Sequence, residues 1–354
     1  MRRRLRGAWT LAWVIPTCLV AACAGEPGPP KATPTRPTAL CVRDHAPCRS
    51  AAEIEARLGE RPLEVLRSRP TPGGAQGARV LSLLSPDGEV IEAKWRPISA
   101  TTPTNDPAGE VLAYRLQALV LPPEDHVVPP AAVRCLDITG DGCELGVLSY
   151  WLSDAIPLRE ARRKQLLPTP PGGIWARDPG LYLPTRFRVD PTYRRAVAHL
   201  NLVAHLVGHG DAHAAQFVLY RDPLHLFLVD NSVAFGVPRN PQMDDLQDLS
   251  HMWVPAIPAD TAARLRELEE ADVRALAWTD SWERRDGVLR RLRADSIWGD
   301  PDARIRREGQ RVQIGLSASD VEAVLERVEA LERDLRDGTL GVFPSSSGTD
   351  APPG

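Results

Sequence analysis

The sequence lacks several features that would indicate a specialised class of protein. Phe and Tyr occur only five times each, lysine is scarce beside arginine, and no repeat recurs at the roughly 20–50-residue period of solenoid proteins. The formal net charge of −3 gives no broad basic surface, which argues against a nucleic-acid-binding protein. With 354 residues, 43% of them hydrophobic, the chain can bury a large core as one domain or as two lobes.

No hydrophobic run is a comfortable membrane span, because the apolar stretch over residues 8–20 is shorter than the roughly 20 residues that a spanning helix needs. Arginines within residues 2–6 precede it, in the order typical of an export signal. The stretch ends in Val20-Ala21-Ala22-Cys23, which resembles the lipobox of bacterial lipoproteins. We therefore expect a signal peptide over residues 1–22, lipidation of Cys23, and an exported lipoprotein of the outer membrane. The alternative is an ordinary signal peptide cleaved near Ala22.

Six cysteines are present, and none forms the Cys-x-x-Cys pair of a zinc ribbon. One lies in the predicted signal peptide and Cys23 would carry the lipid. An even number remains, as expected for disulfides in an oxidising compartment. We expect Cys41 to pair with Cys48 and Cys135 with Cys143, because the members of each pair are close in sequence, although the sequence alone leaves cross-pairing open.

Changes in composition divide the chain into segments. Residues 23–40 are rich in Pro, Gly and Thr and predict a tether, and residues 344–354 predict a disordered tail. Residues 41–152 are predicted to be β-rich and to end in a hinge. Residues 153–343 are predicted to be mostly helical.

Local patterns predict the elements within these segments. The expected strands are 79–84, 89–95, 131–136 and 144–152, and the expected hairpin has its strands at 217–220 and 225–229. The expected helices are 51–67 with an interruption at Pro62, 107–121, 190–207, charge-rich helices over 262–306, and a last helix from the Ser317 cap to Gly338.

The chemistry-bearing residues cluster around the predicted hairpin. Asp211, His213 and Gln216 precede it, and Asp230 follows its second strand. Because the two ends of a hairpin lie side by side, Asp211 and Asp230 should meet at its open end. Phosphoryl transfer needs one carboxylate to orient the attacking hydroxyl and another to hold the metal ion that bridges the phosphates.

These residues resemble the catalytic and metal-binding loops of the secretory-pathway atypical kinases, the family of the Golgi casein kinase and the glycan xylosylkinase. They are more distantly similar to phosphatidylinositol kinases and HipA-type kinases. The shared pattern is a Gly-x-x-Asp-x-His-x-x-Asn-like loop followed by an Asp-Asn or Asp-Phe-Gly-like motif. The resemblance implies that Asp211 is the catalytic aspartate and that His213 supports its loop. It also implies that Asp230 is a metal ligand, with Gln216 at the Asn-type position.

Motifs earlier in the chain extend the resemblance in the family's order. Residues 92–97 look like the strand bearing a phosphate-binding lysine, here Lys94. Residues 109–116 look like the helix whose glutamate, here Glu110, pairs with that lysine. Residues 127–134 resemble the family's next strand, which contains Val-Pro-Pro.

The following strand, with Leu145 and Val147, would then line the adenine pocket at the hinge. The resemblance thus implies an α+β, two-lobed protein-kinase-like fold with a β-rich N-lobe and a mostly helical C-lobe. It implies ATP and Mg²⁺ or Mn²⁺ as cofactors. The acceptor would be a protein hydroxyl or a sugar, and the membrane would be contacted through the lipid anchor.

Departures from the family pattern leave two alternatives. Ala212 stands where the family has Arg, and Gln216 is longer than Asn, so a catalytically inactive pseudokinase or scaffold lipoprotein is one alternative. The other is a zinc-dependent hydrolase, because His205, His209, Asp211 and His213 are spaced closely enough to ligate a metal ion.

Overall fold

Strands dominate the first half of the chain, and helices mix with a second sheet in the rest, as seen in a computed structural model of the protein. The described residues are 49–60, 62–71, 77–102, 105–138, 140, 142–152, 155–164, 182–210, 216–220, 225–236 and 251–345. All of them belong to one unit, Pro37–Gly354.

The α-helices of these residues are α1 (Ala51–Gly59), α2 (Ala108–Val120), α3 (Leu158–Arg163), α4 (Pro184–Val189), α5 (Pro191–Leu206), α6 (Ala259–Glu267), α7 (Glu270–Ala275) and α8 (Ala318–Asp337). The β-strands are β1 (Glu64–Pro70), β2 (Arg79–Leu84), β3 (Val90–Pro97), β4 (Ala131–Leu136), β5 (Glu144–Tyr150), β6 (Ile156–Pro157), β7 (Phe217–Tyr220), β8 (His225–Leu228), β9 (Ala256–Pro258), β10 (Asp280–Arg285), β11 (Val288–Leu292), β12 (Ile305–Glu308), β13 (Arg311–Ile314) and β14 (Gly341–Phe343). Short 3-10 helices lie at Ile98–Ala100, Pro123–Asp125, Asn231–Val233 and Leu276–Trp278.

The first sheet is antiparallel, with the strand order β1-β2-β3-β5-β4. Both faces of its central strands are largely buried, whereas the edge strand β1 is partly exposed. Side chains of one face, such as Trp95 and Leu148, pack with Ile54 and Leu58 of α1, while those of the other face join the main core around α2, α5 and α8. A sheet covered on both sides holds its backbone in place, and it therefore gives a fixed platform for the polar side chains that it carries.

Several predicted elements are confirmed. The predicted strands of β2–β5, the helices α2 and α5 and the hairpin strands β7 and β8 form where the sequence places them. The last helix begins with a capping box in which the hydroxyl of Ser317 accepts from the backbone of Asp320, and it ends at Gly338 in the left-handed conformation. The Cys135–Cys143 disulfide is also present, with Cα atoms 5.4 Å apart.

The predicted helix over residues 51–67 is wrong beyond Gly59. The residues after Pro62 form β1, which pairs with β2 along its length. Pro62 cannot donate a helical hydrogen bond, and the exposed edge of β2 offers the following residues a partner. The apolar spacing of Leu63 and Leu66 therefore did not indicate a helix.

The mostly helical second half is also wrong in part, because the expected helices over 262–306 are replaced beyond Trp278 by a second sheet. Its strand order is β11-β10-β13-β12. The turn between β10 and β11 is Asp286-Gly287, with φ of 54° and 79°. Asp-Gly with two positive φ angles is typical of a tight hairpin, and this dipeptide outweighs the helical spacing of the arginines around it. The division into two lobes at residue 152 stays a prediction.

Several sequence predictions fall on residues outside those described: the signal peptide, the lipidated Cys23, the tether, the Cys41–Cys48 pair, and nearly all of the tail. Across the described ranges, no helix combines the length and the apolar character that a transmembrane segment requires.

A buried polar cluster joins α5 to α6. Arg195 lies between Asp125 and Asp260, with its Nη2 2.7 Å from Asp260 Oδ2. His199, fully buried, has its Nε2 2.8 Å from the Thr261 hydroxyl and its Nδ1 3.6 Å from Asp125. Burial lowers the pKa of His199 to about 4 despite the nearby Asp125 carboxylate.

We predict that stability falls as the pH drops from about 6.5 to about 4. Burial lowers the pKa of both His126 and His199 to about 4, so the unfolded chain takes up protons in this window that the folded chain does not. The loss approaches roughly 3 kcal/mol per histidine at the acid end. Urea unfolding at several pH values measures it, and a flat profile between pH 6.5 and 4.5 would contradict it. His199→Gln should flatten the slope.

We further predict that Cys135→Ser lowers the free energy of unfolding by roughly 2–3 kcal/mol, because the disulfide closes a short loop whose freedom is otherwise regained on unfolding. Urea unfolding with and without a reducing agent measures this. The reductant should destabilise the wild-type protein more than the variant, which keeps only the predicted Cys41–Cys48 pair. Equal effects of the reductant on both proteins would contradict the prediction.

Candidate active site

Lys94 is the centre of the candidate site. β3 carries it on the sheet face that packs against α2, where Ser149 of β5 is its cross-strand partner. Its Nζ lies 2.9 Å from Glu110 Oε1 of α2 and 2.8 Å from Asp230 Oδ1, just after β8. One ammonium group thus joins β3 and α2 to a turn 136 residues away in the sequence.

The charges of this group are mutually stabilised. Burial alone would lower the pKa of Lys94, but the negative charges of Glu110 and Asp230 outweigh it and hold that pKa above its usual range. For Asp230, burial raises the pKa. The charge of Lys94 and the hydrogen bonds from Lys94 and Ser232 lower it by more, so the pKa of Asp230 lies below its usual range. Lys94 is therefore protonated and Asp230 ionised at neutral pH.

The start of α2 is pressed against the turn that follows Asp230. Glu110 accepts a hydrogen bond from the backbone N–H of Asn231 through Oε2 at 3.2 Å, so each of its oxygens has a partner. A Cβ added to Gly109 would lie 2.3 Å from the carbonyl oxygen of Asn231. Only glycine permits this approach, and the approach is what brings Glu110 to Lys94.

The turn after β8 has an unusual backbone. Asp230 adopts the left-handed conformation (φ 60°, ψ 49°), and so does Phe235 (φ 59°). Non-glycine residues in this region cost on the order of 1–3 kcal/mol each, and they persist only where the surroundings hold them. Here the Ser232 hydroxyl donates to Asp230 Oδ1 at 3.1 Å, and the guanidinium of Arg304 donates to the carbonyl of Phe235.

The same turn contacts the segment after α5. The N–H of Phe235 donates to the carbonyl of Val207 at 2.6 Å, and that of Gly210 donates to the carbonyl of Val233 at 3.2 Å. Asp211 and His213, the predicted catalytic residues, follow Gly210 directly but lie outside the described residues. Their position relative to Asp230 therefore stays a prediction.

Gln216 lies beside Asp230, with its Nε2 3.4 Å from Asp230 Oδ2. The hairpin explains the contact, because Phe217 pairs with Leu228 and the N–H of Val229 donates to the carbonyl of Gln216 at 2.9 Å. The open end of the hairpin therefore brings together the two residues predicted to hold a metal ion.

Leu145 and Val147 lie in β5 on the same face as Lys94, buried in the main core. The residue directly across from Lys94 is Ser149, and Val147 instead pairs with Arg96. The predicted adenine contacts of Leu145 and Val147 stay a prediction.

Two arginines were missed by the sequence analysis. Arg96 follows Lys94 on the same face of β3 and is 3% exposed. Burial lowers its pKa, while the charges of Asp230, Glu110 and Asp106 raise it, so it adds a second positive charge to the site.

Arg304 bonds through Nε and Nη2 to Asp320 at 2.6 and 2.8 Å, which fixes it under the turn at Phe235.

One compositional signal could have given Lys94 more weight. The chain contains three lysines, Lys31, Lys94 and Lys164, in a total of 43 Lys and Arg. Because arginine supplies nearly every other basic side chain of the sequence, a lysine indicates a position suited to a compact ammonium rather than a planar guanidinium. The pocket between two carboxylates beside Arg96 is such a place.

Among the residues that the structure describes, no three His, Cys, Asp or Glu side chains lie together as a metal site would require. Two of the four residues of the zinc alternative, Asp211 and His213, are outside this part of the chain. That alternative stays a prediction.

No protein-family model matches the chain, and no curated protein matches it. Among solved structures, a MAP kinase from Leishmania major is similar in part, with a TM-score of 0.28 and 14% sequence identity. The match covers 51% of this chain and 49% of that chain, so this chain spans about half the length of the kinase. A match at this TM-score does not establish a fold, and the sheet order and the contacts of Lys94 are the firmer observations.

We predict that Gly109→Ala lowers the free energy of unfolding by roughly 1–3 kcal/mol, because the new methyl group would overlap the carbonyl of Asn231 and push α2 away. Gly59→Ala is the matched control, since its Cβ would meet only Ala132 Cβ at 3.5 Å and Gly59 likewise lies in a terminal turn of a helix, as the last residue of α1. Chemical unfolding of both variants measures the difference. Equal stability of the two would contradict the close approach.

Proposed function

We propose that the chain is an ATP-dependent phosphotransferase of the atypical kinase type, acting on the hydroxyl of a protein or a sugar. The observation that carries the proposal is the ammonium of Lys94 held between carboxylates from two other elements, Glu110 and Asp230. Phosphoryl transfer depends on positioning and on neutralising charge rather than on covalent chemistry by the protein, and a fixed cation beside an ionised carboxylate supplies both.

The donor set fits the cofactors that this activity requires. Asp230 is 39% exposed, so its carboxylate can be reached from solvent. A carboxylate with a neighbouring amide offers the hard oxygen donors that Mg²⁺ and Mn²⁺ prefer. A rotation of the Gln216 amide would turn its oxygen toward the same position. Mg²⁺ commonly binds one or two carboxylates together with substrate phosphates, so Asp230 with Gln216 is sufficient on the protein's side.

The roles of the chain's own residues follow from these contacts. Lys94 uses two of its three N–H groups on Glu110 and Asp230, and the third would donate to a phosphate oxygen of ATP. Glu110 keeps Lys94 in place, because the Asn231 backbone and α2 fix the glutamate itself. Arg96 adds a second positive charge beside Lys94, which offsets the charges of Glu110 and Asp230 and so lessens the repulsion of a polyphosphate.

Asp230 and Gln216 would hold the metal ion, which when bound neutralises charge that builds up on the phosphates. Asp211 would accept a hydrogen bond from the acceptor hydroxyl and orient it toward the phosphate, with His213 supporting the loop. The bonds from Gly210 to Val233 and from Phe235 to Val207 support this assignment, since they tie the segment leading to Asp211 to the turn that carries Asp230.

Export and anchoring belong to the same proposal. The basic and apolar N-terminus would direct the chain out of the cytoplasm, and a lipid on Cys23 would hold it at the outer membrane. Residues 23–40 would then act as the tether. The disulfide between Cys135 and Cys143 supports an oxidising compartment.

We predict that ATP with Mg²⁺ or Mn²⁺ raises the melting temperature, because a ligand that binds only the folded state stabilises it. Asp230→Asn keeps the size of the side chain but removes its charge, so the metal-dependent part of the shift should disappear. Differential scanning fluorimetry with ATP alone and with each metal measures this, and transfer of labelled phosphate from ATP reports activity.

Lys164→Ala is the matched control for Lys94→Ala. Lys164 is 56% exposed and pairs with Glu160 at 3.6 Å, so its loss should leave the ATP response unchanged, whereas loss of Lys94 should abolish it. A folded Asp230→Asn protein with the full metal-dependent shift and transfer activity would overturn the proposal.

A further inference from the structure

A second cleft lies at the far end of β5, away from Lys94. It is open, has a volume of about 740 Å³, and is formed between the start of β5, the 3-10 helix Ile98–Ala100 and the second sheet. Leu145, which lines it, precedes Ser149, the cross-strand partner of Lys94, by four positions in β5. Four strand residues span roughly 13 Å, so this cleft lies apart from Lys94 and its two carboxylate partners.

The register of the second sheet shows which side chains face the cleft. Arg284 pairs with Leu289, and Arg307 pairs with Val312. Directly paired residues of an antiparallel sheet lie on the same face, and all four of these line the cleft. The sheet therefore presents apolar side chains, half-buried, together with exposed arginines toward one space.

Apolar side chains also come from the opposite wall. Ile98 and Leu145, both buried, line the cleft from the first sheet and its adjoining 3-10 helix. With Leu289 and Val312 they give the cleft an apolar lining on two sides. A space lined in this way, with a few charged groups, has the character of a small-molecule site, and its volume lies within the usual range of about 300–1,000 Å³.

The charge of the lining is positive. Arg284 and Arg307 face the cleft together with one carboxylate, that of Glu144, which accepts a hydrogen bond from the Ser99 hydroxyl at 2.8 Å. Arg311 borders the cleft, but the register puts it on the other face of the sheet, where it donates through Nε to Glu283 at 3.1 Å. Within the described part of the chain Arg307 forms no ion pair, so its guanidinium has donors left for a ligand.

We propose that this cleft binds a small organic anion, one that joins a phosphate or carboxylate group to an apolar portion. Arg307 and Arg284 would donate to the anionic group, because the guanidinium fork matches the paired oxygens of such groups. Leu289, Val312 and Leu145 would contact the apolar portion. The proposal does not depend on the phosphotransferase assignment of Lys94, Glu110 and Asp230. Leu145, which the resemblance assigns to the adenine pocket, is the one residue that the two proposals share.

The test uses three matched probes, phenyl phosphate, inorganic phosphate and phenol, titrated into the full-length protein by isothermal calorimetry. Phenyl phosphate should bind about tenfold or more tightly than either of the others, because only it uses both the arginines and the apolar walls. Arg307→Gln should weaken phenyl phosphate binding by about tenfold or more, the loss expected for one charged hydrogen bond. High salt should weaken binding in the wild-type protein.

Arg290→Gln is the matched control, because Arg290 is exposed on the same strand as Leu289 but on the opposite face of the sheet, paired with Glu283. It should bind phenyl phosphate like the wild type. Lys94→Ala should also retain phenyl phosphate binding. Loss of that binding in the Lys94→Ala variant would place the probe at the active site and overturn the proposal. If Arg307→Gln does not fold, Arg284→Gln replaces it. Unchanged affinity in a folded variant of either arginine would also overturn the proposal.

Discussion

The ion pairs of Lys94 are the contact on which the rest of the structure depends. An ammonium only 16% exposed is unfavourable unless opposite charges surround it. Two carboxylates supply those charges, one from α2 and one from the turn after β8. The first sheet, the helix and the hairpin must therefore all be correctly placed relative to one another. Removing the lysine would leave the carboxylate of Glu110, only 4% exposed, without its charge partner, and removing either carboxylate would leave the lysine with one carboxylate in place of two.

Other contacts of the fold hold these three elements in place. Gly109 lets α2 approach the backbone of Asn231, and Arg327 of α8 donates to the carbonyl of Leu206 at 3.1 Å near the end of α5. Arg304 connects α8, through Asp320, to the turn at Phe235. The cost of the left-handed Asp230 and Phe235 is offset by these bonds, which is the usual condition for backbone strain at a functional site.

The second sheet contributes to the protein in two ways. Its inner face joins the main core through Trp282 and Ile314, which supports the packing around α2. Toward the hairpin turns of this sheet, the side chains on the same face change from apolar residues to arginines. There the face no longer packs on the core and instead lines the second cleft. A sheet that packs at one end and remains open at the other provides both a support for the active site and a separate surface for a ligand.

The sequence by itself determined the local structure. Strands β2 to β5, helices α2, α5 and α8 and the hairpin of β7 and β8 all follow from apolar periodicity, caps and turn residues, which act between neighbours in the chain. The short separation of Cys135 and Cys143 favoured their pairing, and the structure decided it against cross-pairing. Gln216 beside Asp230 could be anticipated because a hairpin closes its own ends.

Tertiary structure alone decided the remainder. β1 forms because β2 offers an edge, and the second sheet forms because the Asp286-Gly287 turn lets arginine-rich segments pair, where spacing alone had favoured helices. The positions of Arg96 and Arg304 depend on burial and partly on partners more than a hundred residues away in the sequence. No local sequence pattern encodes such contacts. The resemblance implied the pairing of Lys94 with Glu110, but the second contact of Lys94, with Asp230, required a segment 136 residues away to fold against them, because charge pairing in a desolvated site is a property of the packed chain.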